Sequence, residues 1–360
     1  MQVQENVALA PFTTFKVGGP ARYFMEAASY AEVTEALQFV RTNGLPLFVL
    51  GGGSNLVIMD SGWPGSVLKI AIPGIDERTE NGKALFDVGA GVEWDKFVAQ
   101  AVARGCSGVE CLSGIPGSVG GTPVQNVGAY GQEVAETIES VVVLDRRDGQ
   151  IRELCHEACG FSYRSSIFNT SERGRYIILR VTYALEQGGA PRVDYADLKK
   201  YFAGRSGDPT LAETRDAVRR IRAGKGMLIT PGDEDCRSAG SFFKNPVLSP
   251  EQFEGITARA AAKNLQIPSY PALDARKKVS AAWLVEHSGF GKGFGYGRVG
   301  ISRKHALAIV NRGEAMASEV VAFMEDIQQR VEDLWEIRLE PEPVFVGFKV
   351  TKGGFGFLMS

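Results

Sequence analysis

The chain has 360 residues, 44% hydrophobic and 23% charged, a length and balance that allow two or three domains with cores of their own. Its 40 basic and 42 acidic residues leave a net charge of −2, which gives no electrostatic case for nucleic acid or an anionic membrane; a local basic site for a phosphorylated small molecule stays open. No run approaches the ~18 apolar residues of a membrane span, and the opening Met-Gln-Val-Gln-Glu-Asn lacks a signal-peptide layout, so a cytoplasmic protein without membrane insertion is expected.

Residues 29–44 read as a helix. Ser29 and Glu32 form a capping box, Val33, Leu37 and Val40 make one apolar stripe, and Gly44 stops it. The apolar strand 46–50 follows and runs into Gly51-Gly52-Gly53-Ser54-Asn55. Strand-like segments come near 56–59, 67–71 and 84–88, then a helix over 93–104. Segment 138–145 alternates as a strand before a turn at Asp148-Gly149, and 176–185 is another strand. Residues 189–237 are polar and turn-rich, with a basic helix at 211–222, and read as a passage between domains. A second mixed unit spans about 239–311. A helix over 318–336 buries Val320, Met324, Ile327, Val331 and Leu334, and strand-like 344–348 closes the pattern. The glycine-rich tail 351–360 is expected to be mobile or to pack late.

The five cysteines are odd in number and dispersed, against a disulfide framework. Cys155 and Cys159 are expected to share a buried or half-buried helical face. With only three histidines in the chain no second ligand cluster exists, so no metal is expected.

Residues 111–132 contain no charge and six glycines: Gly114, Gly117, Gly120, Gly121, Gly128 and Gly131. Such a segment suits a buried backbone whose N–H groups converge on a phosphate, or else a packing corner between sheets. The run 51–55 is a second cradle of this kind, or a strand-to-strand turn. Gly295, Gly297 and Gly300 match a dinucleotide fingerprint but follow a helix rather than a strand, the wrong context for that fold. Ser241, between Gly240 and Phe242-Phe243-Lys244-Asn245-Pro246, lacks a nucleophile elbow and is open as a proton donor or substrate contact. Tyr163-Arg164 suits a carboxylate clamp or a structural ion pair. Glu342, between Pro341 and Pro343, reads by default as a solvated turn.

Taken in order, these segments resemble the UDP-N-acetylenolpyruvoylglucosamine reductase family, from Phe12-Thr13-Thr14-Phe15 to about Gly347. Tyr195-Ala196-Asp197-Leu198 resembles the longer class, with an extra tyrosine loop over the substrate. The resemblance implies an α+β chain: an FAD-binding module of the vanillyl-alcohol-oxidase type and a smaller α/β substrate domain. The implied layout is 1–72 as the first FAD subdomain, rejoined by 336–360, then 73–228 as the second, and 229–335 as the substrate domain. It implies non-covalent FAD, held by Gly51, Gly52, Gly53, Ser54, Asn55, Gly114, Ile115, Pro116, Gly117, Ser118, Gly120, Gly121, Asn126, Gly128 and Ala129. NADPH would reduce the flavin and leave. The enolpyruvyl sugar nucleotide would then enter the same cleft, taking a hydride from flavin N5 and a proton from Ser241 to give UDP-N-acetylmuramate. Arg164 and Glu342 would hold its carboxylate, Tyr195, Lys225 and Asn245 its diphosphate, and Tyr163 would flank the site. The stretch 226–237 after Lys225 is longer than in many members of the family, and Glu286-His287 departs from the family pattern. The chain is expected to be a monomer. The rivals are a flavin oxidase of a sugar or hydroxy acid on the same module, with Cys106 or Cys111 as possible tethers, and a nucleotide-sugar binder without turnover.

Overall fold

A computed structural model describes the backbone of residues 1–351 and 354–357 and the side chains of residues 1–348; tail residues 352, 353 and 358–360, where mobility or late packing was expected, lie outside the described residues. The chain forms two compact units. The first comprises Met1–Val7, Ala21–Gly53 and Pro64–Ile229, and the second Ala8–Pro20, Ser54–Trp63 and Thr230–Ser360.

In the first unit, helix α1 (Tyr30–Thr42) starts where Ser29 Oγ accepts the Glu32 N–H at 3.2 Å. Glu32 reaches back one residue further than a capping box requires, to the Ala28 N–H at 2.7 Å. The helix buries Val33, Ala36, Leu37 and Val40, and Gly44 beyond its end takes the left-handed φ of +59°. Strand Leu47–Leu50 lies parallel to Trp63–Ile70 in a four-stranded sheet with Pro20–Ala27 and Val3–Ala8. A larger antiparallel sheet runs in the order Ile151–Cys155, Ile138–Asp145, Tyr176–Gln187, Lys83–Gly89, Ile75–Glu80, with Cys106–Ser107 also on Tyr176–Gln187. Its edge strand Ile75–Glu80 is almost wholly exposed and carries Asp76, Glu77, Arg78 and Glu80, charges that discourage pairing with another chain.

Helix α2 (Trp94–Ala103) packs on this sheet through fully buried aromatics: Phe97 stacks on Tyr183 with ring centres 4.8 Å apart and meets Phe86 edge-on at 5.7 Å. Truncating Phe97 to alanine would cost about 3–5 kcal/mol. Helices α3 (Ala196–Tyr201) and α4 (Leu211–Gly224) follow, the latter opened by a complete Thr210/Glu213 capping box. Cys155 and Cys159 do not share a helical face. Cys155 ends a strand and is exposed, whereas Cys159 is buried in a short 3-10 turn. The alternation of 151–155 on a sheet edge outweighs the i, i+4 spacing.

The second unit is built on helix α5 (Pro250–Ala261), α6 (Ala281–Glu286) and α7 (Ala317–Trp335), with two three-stranded sheets and a parallel pair of Leu56–Ile58 with Val344–Val346. Helix α7 buries Val320, Met324, Ile327 and Val331 as its periodicity predicts, but Trp335 rather than Leu334 completes the buried row. Both oxygens of Asp60 take N–H groups at its start, from Ala317 at 2.6 Å and Ser318 at 2.9 Å.

Candidate active site

The glycine run that follows strand Leu47–Leu50 meets the uncharged block backbone to backbone, within the first unit. A Cβ on Gly52 would lie 2.5 Å from Gly117 Cα and 2.6 Å from Ser118 N, so only glycine permits the approach. The buried Ser118 hydroxyl faces Gly51, where a Cβ would come within 3.0 Å of it, and finds no hydrogen-bond partner among the described residues. Nor do the N–H groups of Gly52, Gly53, Gly117 and Ser118 donate to any acceptor among them. A buried donor left unmade costs roughly 1–3 kcal/mol, a cost that falls on Gly53 and Ser118; with the exposed Gly52 and half-buried Gly117 beside them, this cluster of unspent donors fits a pyrophosphate-bearing cofactor such as FAD. Elsewhere in the block the glycines differ in their surroundings. A Cβ on Gly120 would lie 2.7 Å from Ala90 Cβ, and Gly121 is exposed. Ile115 and Ala129 lean on hydrophobic cores, and Pro116 is half-buried.

Arg164 is anchored in the same unit with a left-handed φ of +53°. Its guanidinium donates to Gly128 O at 2.6 Å and lies 3.8 Å from Glu133 and 5.2 Å from the centre of the exposed Tyr163 ring. A Cβ on Gly128 would sit 2.9 Å from the guanidinium, so that glycine makes room for Arg164. Asn126 spends its side chain on the protein: Nδ2 donates to Glu133 at 2.7 Å and Ser162 O at 3.0 Å, and Oδ1 accepts from Ala135 N at 3.1 Å.

Tyr195 and Lys225 come together around a residue the sequence reading passed over. The Tyr130 ring sits 5.4 Å edge-on from Tyr195 and 5.7 Å from Lys225 Nζ, and Lys225 pairs with Asp197 at 2.6 Å. Burial pushes the Tyr130 phenol above its usual pKa, against the opposing pull of Arg222 and Lys225. The signal for Tyr130 was its place inside the uncharged block; for Glu133, that it is the first charge after it. Asp197 followed Tyr195 in the quoted motif but carried no role.

In the second unit, residues 242–244 and 340–342 run antiparallel: Glu342 N–H donates to Phe242 O and Lys244 N–H to Glu340 O, both at 2.9 Å. That pairing sets Glu342 opposite Phe242, the residue that follows the half-buried Ser241, although the two segments are far apart in sequence. The prolines flanking Glu342 shape this strand-like segment, and Glu342 itself is half-buried rather than the solvated turn of the default reading. Asn55 Nδ2 donates to Glu342 O at 3.2 Å, and Ser54 O accepts from the Thr14 hydroxyl at 3.3 Å. Asn245 Oδ1 takes the first helical N–H of α6, from Ala281, at 2.9 Å. No group of metal ligands occurs among the described residues.

A family model described as an FAD binding domain matches residues 21–154, and the C-terminal domain of UDP-N-acetylenolpyruvoylglucosamine reductase matches residues 231–346. The reductase of that name from Thermobifida fusca is 45% identical over 95% of this chain and 97% of its own length. Its counterpart from Streptomyces coelicolor is 44% identical over 96% and 91%. The crystal structure of the Thermus caldophilus reductase superposes with a TM-score of 0.64 at 29% identity, covering 96% of this chain and 99% of that one. The α+β architecture with an FAD-binding module agrees with these likenesses, and the chain belongs to the UDP-N-acetylenolpyruvoylglucosamine reductase family.

Proposed function

We propose that this chain reduces the enolpyruvyl group of UDP-N-acetylglucosamine enolpyruvate to UDP-N-acetylmuramate, a peptidoglycan precursor, with NADPH as co-substrate. The observation that carries the cofactor is the set of unspent donors between Gly51–Gly53 and Gly117–Ser118. FAD held by the backbones of Gly51–Gly53 and Gly117–Ser118 would supply the hydride-transfer chemistry between NADPH and the methylene carbon of the substrate. The protein supplies position and field. Hydride addition drives negative charge onto the conjugated carboxylate, and each well-placed donor there is worth roughly 3 kcal/mol in the transition state. Arg164 holds that carboxylate. Glu342 does so with a proton or an intervening partner, since two bare anions would repel. Ser241 delivers a proton to the carbon next to the methylene, a task for a weak acid only because the electron-rich intermediate is strongly basic. Tyr195, Lys225 and Asn245 contact the diphosphate, and Tyr163 flanks the site. We take FAD to be non-covalent, in keeping with the buried Cys106 and Cys111 thiols donating to Gln187 Oε1 at 3.2 Å and Arg192 O at 3.0 Å.

The layout we propose keeps 1–72 with 336–360 and 73–228 as FAD subdomains and 229–335 as the substrate domain, in a cytoplasmic monomer. Among the described residues no helix is long and apolar enough to cross a membrane. The test is anaerobic. NADPH should bleach the yellow protein, and the enolpyruvyl sugar nucleotide should restore the colour; if colour does not return, the reductase reading fails. Arg164→Ala should still bleach but not recolour, and Ser241→Ala should recolour at least about 100-fold more slowly.

A further inference from the structure

The glycine that opens the uncharged block spends its backbone on protein partners. Gly114 donates its N–H to Asp95 Oδ1 at 2.6 Å, and its carbonyl accepts from Arg222 Nε at 3.1 Å. Its φ is +70°, and a Cβ would lie 2.7 Å from Leu228 Cδ1. Three residues on, Gly117 O accepts the N–H of Trp94, the neighbour of Asp95, at 3.1 Å. Two consecutive residues of α2 thus grip both ends of the turn that delivers Gly117 and Ser118. Asp95 is held in turn by α4: Arg215 reaches it through Nη1 at 2.6 Å and Nη2 at 3.0 Å, and Arg219 pairs with its other oxygen. The Asp95 and Arg215 side chains are 18% and 14% exposed, so the pair is screened far less than a surface pair. Arg222 is buried on the same side of α4, three residues before the proposed diphosphate contact Lys225, which caps that helix.

We propose that Asp95 is a positioning residue for the cofactor: through Gly114 it fixes the backbone that presents the Gly117 and Ser118 donors, and through Arg215 and Arg219 it ties that backbone to α4. This rests on the reading of these glycines as the FAD cradle. Asp95 needs no contact with FAD; donors aimed at a phosphate lose strength steeply with misalignment, so a small tilt of the turn weakens binding.

The purified yellow protein can be diluted and the fluorescence of released flavin followed, with thermal unfolding measured beside it. Asp95→Ala, which strips Gly114 and two arginines of their shared acceptor, should weaken FAD retention about tenfold or more. Asp95→Asn, which can still accept from Gly114 but loses the charge, should weaken it several-fold and carries the test if the alanine variant does not fold. Val98→Ala, in the same helix but in the hydrophobic core, should lower the unfolding temperature while leaving FAD retention within about twofold. Wild-type retention in the Asp95 variants, or an equal loss in Val98→Ala at matched stability, overturns the proposal. A wild-type protein purified without flavin would instead overturn the cofactor reading beneath it.

Discussion

Two glycine-dense regions of this molecule use the same residue for opposite ends. Between Gly52 and Gly117, missing side chains let two backbones meet and leave N–H groups without acceptors. In the hairpin of Gly295–Tyr296 with Val299–Ile301, missing side chains let strands close on each other and on Arg312. A Cβ on Gly295 would lie 2.5 Å from Gly300 Cα, and one on Gly300 would lie 2.5 Å from the Arg312 guanidinium. There the polar groups are spent inside the protein: Ile301 N–H goes to Phe294 O at 2.7 Å, and Arg312 Nη2 to Gly293 O at 2.7 Å. The hairpin has the Gly-x-Gly-x-x-Gly spacing and the cradle does not. Unspent donors, rather than glycine spacing, mark a phosphate site.

The sharpest way to break this contrast is Gly52→Ala. The new methyl would press on the backbone of Gly117 and Ser118, which cannot swing aside. The variant should keep its far-UV circular dichroism yet retain FAD at least about 100-fold more weakly, from lost donor geometry. A folded Gly52→Ala protein that stays stoichiometrically yellow would end the cradle reading.

Gly300→Ala is the counterpart. Arg312 can move, but Phe294 O, 2.6 Å from the added methyl, belongs to the backbone. A loss of about 1–3 kcal/mol of stability is expected, with flavin content unchanged. Thermal unfolding followed beside absorbance at flavin wavelengths checks both halves. Lost colour at an unchanged unfolding temperature would show that the hairpin touches the cofactor after all.

Ser118→Ala should act in the unusual direction. Its hydroxyl is buried without a partner among the described residues, so deleting it from flavin-free protein should be neutral or stabilising by up to about 1 kcal/mol. FAD affinity should nonetheless fall about three- to tenfold. If the flavin-free variant is instead clearly less stable, the hydroxyl is serving the fold.

Legibility in the sequence followed the range of the interaction. Helix α1 was readable because Ser29, Glu32 and Gly44 mark its ends locally, and strand Ile138–Asp145 because its β-branched run Val141-Val142-Val143 ends before the turn at Asp148-Gly149. Strands Val3–Ala8 and Ile75–Glu80 escaped because they are exposed and polar, so no apolar face announced them. That the Ser241 and Glu342 segments share one pairing in the second unit was reachable only through the family resemblance, since a pairing of 242–244 with 340–342 leaves no local trace. Asp95 was invisible for the same reason: its partners Arg215 and Arg219 lie more than a hundred positions away, in a basic helix that reads only as part of a passage between domains.

The smallest expected effect separates the two regions by acid. Burial alone would raise the Asp95 pKa, but the Arg215 hydrogen bond, the Gly114 N–H and the charges of Arg215 and Arg219 together hold it below the usual carboxylate value. A carboxylate depressed in the folded state contributes stability that is fully present above its unfolded pKa of about 3.9 and is lost as pH falls through the lower folded value. Flavin released from wild-type protein should therefore rise only as pH falls through that lower folded value, where Asp95 takes a proton and lets go of the Gly114 turn. In Asp95→Asn, retention should be lower at neutral pH but should lack this acid limb. Gly300→Ala, which leaves Asp95 and the cradle untouched, should keep it. An acid limb of wild-type shape in Asp95→Asn would assign the proton to another carboxylate and separate Asp95 from the cradle.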